Sequence, residues 1–212
     1  MGFFEELFGN TNSNDLVFTI DREHGSGGYD IAKKLSAKLN IPLYDEEVIE
    51  LKTLEGKVNP DNITKDDSFL QGTIYDLYRE NYSYSQEDIV NVDAVFLANS
   101  KTIRDFARQG SCIIMGKCSN YVLREYKNTF NIFISADEEF KIKRLMDFYE
   151  SDREKAVSKM KKKDVRRKNH YNRFTNGEWG MSSDYDLTVN SAKYDFDDIV
   201  DLIISASKRI KK

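Results

Sequence analysis

Gly25, Ser26, Gly27 and Gly28 sit between a continuously apolar run, Leu16 to Ile20, and a stretch in which Ile31, Ala32, Leu35 and Leu39 recur at helical spacing. The first run reads as a parallel strand buried on both faces, so strand, glycine loop and helix open a βαβ unit. Glycines at that turn let backbone N–H groups point inward. The helix start adds about half a unit of positive charge, and together they make an anion site suited to phosphate. Main chain does this work, with His24, Tyr29 and Asp30 completing the stretch expected to hold a phosphate-bearing cofactor. Glycine also serves tight turns; the flanking strand and helix single out the phosphate reading. Gly27→Val is expected to abolish phosphate binding and spare the fold, because no core contact would be lost.

A second concentration of chemistry is basic. Between Lys141 and Arg173 stand 13 Lys and Arg against 5 Asp and Glu, in a chain whose formal net charge is −4. Such a stretch is either a solvated helix face or an anion clamp, for nucleic acid or for the phosphates of a nucleotide. No recognition helix or aromatic-basic surface motif accompanies it, which disfavours nucleic acid. Arg144, Arg167 and Arg173 are its candidate cations, and Arg22 in the loop is a fourth, with an ion pair to Asp21 or Glu23 as its bland alternative. His24 and His170 have no nucleophile or acid at a telling spacing, so neither is assigned catalysis. Trp179 and the tyrosines at 75, 78, 82 and 84 either stack on a base or pack in the core.

The elements that must position these residues follow the same rhythm. Ser111–Gly116 and Phe130–Ser135 read as further strands, each followed by a helical segment; Asp186–Asn190 reads as a last strand, and Pro42–Asp45 as a short one. Phe196, Ile199, Val200, Ile203, Ala206 and Ile210 mark a closing helix. Alternation of this kind predicts an α/β fold, a parallel sheet with helices on both faces. Residues 1–15 form a flexible lead-in and 16–212 one domain, interrupted at 59–87 by a helical insertion and at 152–179 by the basic stretch. Insertions at the strand C-terminal edge cover the ligand in such sheets.

Composition agrees: 212 residues with 40% hydrophobic content bury a core without disulfide or metal. Cys112 and Cys118 lack partners for a zinc site, and free thiols in a reducing cytoplasm are expected. The acidic N-terminal segment argues against secretion and myristoylation, and no apolar run approaches the roughly 20 residues of a membrane helix. A homodimer is left open.

The stretch Thr19 to Ile49, with Arg22-Glu23-His24-Gly25-Ser26-Gly27-Gly28 and Tyr44-Asp45, resembles the opening of the cytidylate kinase-like family. The likeness continues in Gly116-Lys117-Cys118-Ser119-Asn120, in Asp164-x-x-Arg167 with His170-Tyr171, in Trp179-Gly180 and in Tyr185-Asp186-Leu187. This resemblance implies a P-loop kinase fold with a small helical lid. It also implies ATP and Mg²⁺ as cofactors and transfer of the γ-phosphoryl group to a pyrimidine monophosphate such as CMP; the alternative is a nucleotide sensor without efficient turnover. Lys117 and Asn120 stand where relatives carry Arg and Asp that hold the monophosphate, Arg144 faces phosphates or water, and Asp45 contacts the acceptor or caps a helix. Asp30 either approaches the metal or favours the helix dipole.

The departures from a standard phosphate loop are specific. That loop reads Gly-x-x-x-x-Gly-Lys-[Ser/Thr], its Lys reaching the β- and γ-phosphates. Here Arg22 takes the place of the first Gly and Gly28 that of the Lys. Another cation must then act, and Arg22, Arg167 and Arg173 are the candidates, since a mobile Arg contributes about 10³–10⁵ in rate in related chemistry.

Overall fold

The computed structural model describes residues 15–55 and 86–209. The lead-in expected at 1–15 and the insertion expected at 59–87 fall almost wholly outside those residues.

Strand β1, Val17–Arg22, begins with four buried residues, as a two-faced parallel strand requires. It occupies the centre of a five-stranded sheet of order β2-β3-β1-β4-β5, in which β2 is Leu43–Tyr44, β3 Cys112–Met115, β4 Thr129–Ser135 and β5 Leu187–Asn190. Every pairing is parallel. Successive side chains point to opposite faces, so Ile113 and Met115 join Phe18, Ile20, Ile132 and Ile134 on one side, while Cys112 and Ile114 join Val17 on the other. Helices α1, Gly28–Leu39, and α7, Phe196–Ser207, cover the first face through Ile31, Leu35, Ile199 and Ile203. The second face is covered by α3, Gln86–Arg108, and the short α4, Ser119–Val122.

Three further helices frame the C-terminal edge of the sheet: α2, Glu46–Glu55; α5, Glu138–Tyr149; and α6, Arg153–Thr175, which carries the basic stretch. Helix α6 is anchored at both ends. Ala156 and Met160 pack with Ile142 and Leu145 of α5, and Tyr171 and Phe174 enter the core beside Phe96. Among the described residues no helix is long and apolar enough to cross a membrane.

Parallel strands bring Arg22, Gly116 and Ala136 to one edge, where the first glycine loop turns into α1. Gly27 is the N-cap of α1 with φ +79°, and a Cβ there would lie 2.2 Å from Phe196 Cζ. The expectation that Gly27→Val spares the fold is therefore overturned, since the site packs directly on α7. Gly27→Ala should destabilise the protein by about 2 kcal/mol or more, from left-handed strain plus overpacking. A denaturation midpoint equal to wild type would contradict this packing.

Candidate active site

Neighbouring elements fix the main chain of the loop from Arg22 to Gly28. Glu23 N–H donates to the Ile134 carbonyl at 3.0 Å. The Glu23 carboxylate accepts from Ala136 N–H at 3.1 Å and from Lys141 Nζ at 2.9 Å. On the opposite side, two residues one turn apart on α6 grip the same backbone: Asp164 Oδ1 accepts from His24 N–H at 2.7 Å, and Arg167 Nη1 donates to the Arg22 carbonyl at 3.0 Å. The His24 ring meets the Tyr149 hydroxyl at 3.2 Å. Burial, followed by nearby cations led by Arg167, lowers the His24 pKa to about 4, so its ring is neutral at pH 7.

Of the stretch expected to hold a cofactor, His24, Gly25, Gly27, Gly28, Tyr29 and Asp30 line a cavity of about 490 Å³. Ser26 does not. It is buried, its hydroxyl donates to the Glu23 carbonyl at 2.9 Å, and its own carbonyl accepts from Ser191 Oγ, so this residue shapes the loop from behind.

Arg22 leaves the loop sideways. Its Nη2 pairs with Glu46 Oε1 at 2.8 Å, at the start of α2, and Arg167 Nη2 reaches the same oxygen at 3.9 Å. The two arginine side chains are 11% and 15% exposed, which places both charges at the rim of the interior. Arg22 Nη1 and Arg167 Nε find no hydrogen-bond partner among the described residues. Burial opposes the Glu46 charge, but Arg22, Arg167 and Lys117 outweigh it and hold the carboxyl below its usual range.

A second cavity, about 230 Å³, adjoins the first and shares Glu46, Arg166 and Arg167 with it as a common wall. Its other walls include Asp21, Glu50, Lys117, His170 and Tyr171. Lys117, paired with Glu50, stands in a run of three left-handed residues: Gly116, Lys117 and Cys118 have φ of 69°, 53° and 57°. Each non-glycine there costs on the order of 1–2 kcal/mol, strain that the surrounding core must hold in place. Asp21 accepts from Arg22 N–H at 2.8 Å and Trp179 Nε1 at 2.7 Å, and burial pushes its carboxyl above the ordinary range. Trp179 is thus engaged in holding Asp21, edge-on to Phe133. Burial also lowers His170 to about 4, and its Nε2 has no partner among the described residues.

The remaining candidates sit elsewhere than expected. Arg144 pairs with Asp30 at 2.6 Å and both line the larger cavity, on the side of the glycine loop rather than of an acceptor. Asp45 caps α2, its Oδ1 accepting from Val48 N–H at 3.0 Å, and it too borders the larger cavity. Asn120 is buried, donates to the Tyr171 hydroxyl at 3.0 Å and lies outside both cavities. Arg173, two turns beyond Arg166, lies over the Phe174 ring at 5.4 Å and lines neither cavity. Conversely, Glu46, Glu50, Arg166 and His170 carry no expected role yet form the walls. The three-to-four spacing of Lys163, Arg166, Arg167 and His170 marks one face of α6 and is the signal that would have grouped them.

The metal expected at Asp30 has no protein cage. Among the described residues no cluster of three His, Cys, Asp or Glu is placed to hold an ion, and Asp30 is taken by Arg144. Tyr29 stands where a standard loop carries its metal-binding hydroxyl. These residues do not fit a metal held by the protein alone.

Asp164 supplies a check on the grip between α6 and the loop. Burial raises its pKa to about 6, opposed by the His24 N–H, Lys141 and Arg167 and reinforced by Glu23. The His24 amide proton should therefore shift downfield as pH rises, with a midpoint near 6, when the carboxylate it donates to ionises. In Asp164→Asn the NMR titration should vanish; a persistent midpoint would place the titrating group elsewhere.

The sequence profile of the cytidylate kinase-like family matches residues 17–193. A cytidylate kinase from Methanocaldococcus jannaschii is 24% identical over 110 residues, a match spanning 51% of this chain and 62% of that kinase, less than two thirds of its length. Among solved structures, an uncharacterized protein from Eubacterium ventriosum shares 29% identity with a TM-score of 0.69, over 92% of this chain and 99% of that one. A shikimate kinase from Acinetobacter baumannii, 11% identical with a TM-score of 0.50 over 93% of this chain and 97% of that one, shares the fold alone. The profile runs from the first residue of β1 to just beyond β5, across the loop and both cavities, and the chain belongs to the cytidylate kinase-like family.

Proposed function

We propose that this protein is a nucleoside-monophosphate kinase-like phosphotransferase that moves the γ-phosphoryl group of ATP to a pyrimidine monophosphate such as CMP. The observation that carries the reading is the pair of adjoining cavities. One is floored by the glycine loop and the other edged by Lys117, and their common wall holds Arg167, with Arg22 beside it. At 490 Å³ the larger falls in the range of about 300–1,000 Å³ typical of ligand clefts; the smaller, at 230 Å³, takes the phosphate end of an acceptor before its walls must part.

Transfer needs little covalent help from a protein; positioning and charge stabilisation do most of the work. The N–H groups of Gly27 and Gly28, at the start of α1, hold the donor phosphates, and Lys117, once released from Glu50, holds the acceptor phosphate. An acceptor oxygen attacks the γ-phosphorus as the bond to the β–γ bridging oxygen breaks, and ADP leaves with that electron pair. The unspent donors of Arg22 and Arg167 face the charge spreading over the transferred group. Mg²⁺ bound to the nucleotide would neutralise phosphate charge, keeping most of its own waters. Buried free Cys112 and Cys118, with the Cys112 thiol pushed up to about 12 by burial, suit a reducing cytoplasm.

The test is ADP release from ATP with each ribo- and deoxyribonucleoside monophosphate as acceptor. A pyrimidine monophosphate should give the highest turnover. Arg22→Ala and Arg167→Ala should each lower kcat by about 10²-fold or more while ATP affinity falls only modestly, as expected of cations that act mainly in the transition state. If the wild type binds ATP by calorimetry yet phosphorylates none of these acceptors, the protein is a nucleotide sensor and the kinase reading is lost.

A further inference from the structure

Gly28 is glycine for want of space rather than for backbone freedom. It is absent from the residues with positive φ, unlike Gly25 and Gly27. A Cβ built on it, however, would lie 2.7 Å from Arg22 Cβ and 2.9 Å from Arg22 Cγ, with Ile134 Cβ at 3.6 Å. Those Arg22 atoms are the stem of the side chain and cannot swing clear. The Arg22 carbonyl is held by Arg167 at 3.0 Å and its guanidinium by Glu46 at 2.8 Å. Positions 22 and 28 therefore share one volume that admits one side chain.

In a standard phosphate loop the first position is Gly and the Lys follows the last Gly. That arrangement leaves the shared volume to the Lys. In this chain Arg22 fills it from the other side, lines the larger cavity and keeps Nη1 buried without a partner among the described residues. We infer that the loop cation is transposed from position 28 to position 22: Arg22 brings to the donor phosphates the charge that Lys brings elsewhere, and Gly28 is the vacancy that this move requires. The charge half rests on the proposed kinase reading; the steric half does not.

A double-mutant cycle on the full chain tests both halves. Gly28→Ala alone should lower Tm by about 5 °C or more through overpacking, and in an Arg22→Gly background it should cost nothing. An equal cost in both backgrounds overturns the shared volume, whether or not the protein is a kinase. Arg22→Gly should lower kcat by about 10²-fold and weaken ATP binding by about threefold, and Arg22→Gly with Gly28→Lys should recover at least about tenfold of the rate and most of the affinity. A coupled Tm with neither rate nor affinity recovered overturns the transposition of charge. Without turnover in the wild type, calorimetric ATP affinity decides that half while the kinase reading falls separately.

Discussion

Two guanidiniums share the junction of the cavities because one carboxylate stands between them. Burial, and after it repulsion from Arg22, hold Arg167 below its usual range. Glu46 offsets this through a single oxygen that meets both. Removing one member of such a buried group leaves charge uncompensated at a cost of about 3–5 kcal/mol, so the triad stands or falls as a unit. Asp164 Oδ1, 3.9 Å from Arg167 Nη1, adds a second carboxylate to the group, yet Arg22 Nη1 and Arg167 Nε keep N–H donors unused among the described residues. A phosphate at the wall would satisfy those donors and leave Glu46 to orient rather than to neutralise.

Helix α6 extends the same logic over a longer distance. Its inner face presents Asp164 and Arg167 to the loop main chain and Arg166 and His170 to the cavities. Its outer face carries exposed Lys161 and Lys162, the solvated charges that a basic run ordinarily contains. The excess positive charge is thus divided by helical geometry: a few cations are held by backbone and carboxylate partners, and the rest keep the helix in water. With both ends in apolar clusters, α6 acts as a wall whose residues are placed before any ligand arrives.

Much of the fold is legible in the sequence because it depends on local periodicity. The runs at Leu16–Ile20, Ser111–Gly116, Phe130–Ser135 and Asp186–Asn190 each overlap a strand, and Ile31, Ala32 and Leu35 are buried on α1 as their spacing requires. The loop and Lys117 are legible too, since glycine content announces the one and the Gly116-Lys117-Cys118-Ser119-Asn120 motif the other. Other site residues depend on what folds against them. Nothing local tells that Asn120 spends its amide on the Tyr171 hydroxyl, or that Arg173 lies one step too far along α6. Glu46 looks like an ordinary first-turn acid until Arg22 and Arg167, from elements remote in sequence, converge on it.

The central place of β1 also governs how the chain reaches this state. Val17 pairs with Cys112 on one side and Thr129 on the other, so both neighbours of the first strand are made about a hundred residues later. Contacts of such long sequence separation form late, because loop closure must be achieved before they reward it. During synthesis β1 is therefore an unpaired apolar strand until β3 emerges, and the glycine loop waits longer, for β4, before Glu23 N–H finds the Ile134 carbonyl. The packing of α5 against α6 joins neighbours in sequence and needs no such closure, whereas the bond that holds the loop to β4 does. A chain stalled before β3 would present β1 as an unpaired apolar edge, the kind of surface through which incomplete chains aggregate.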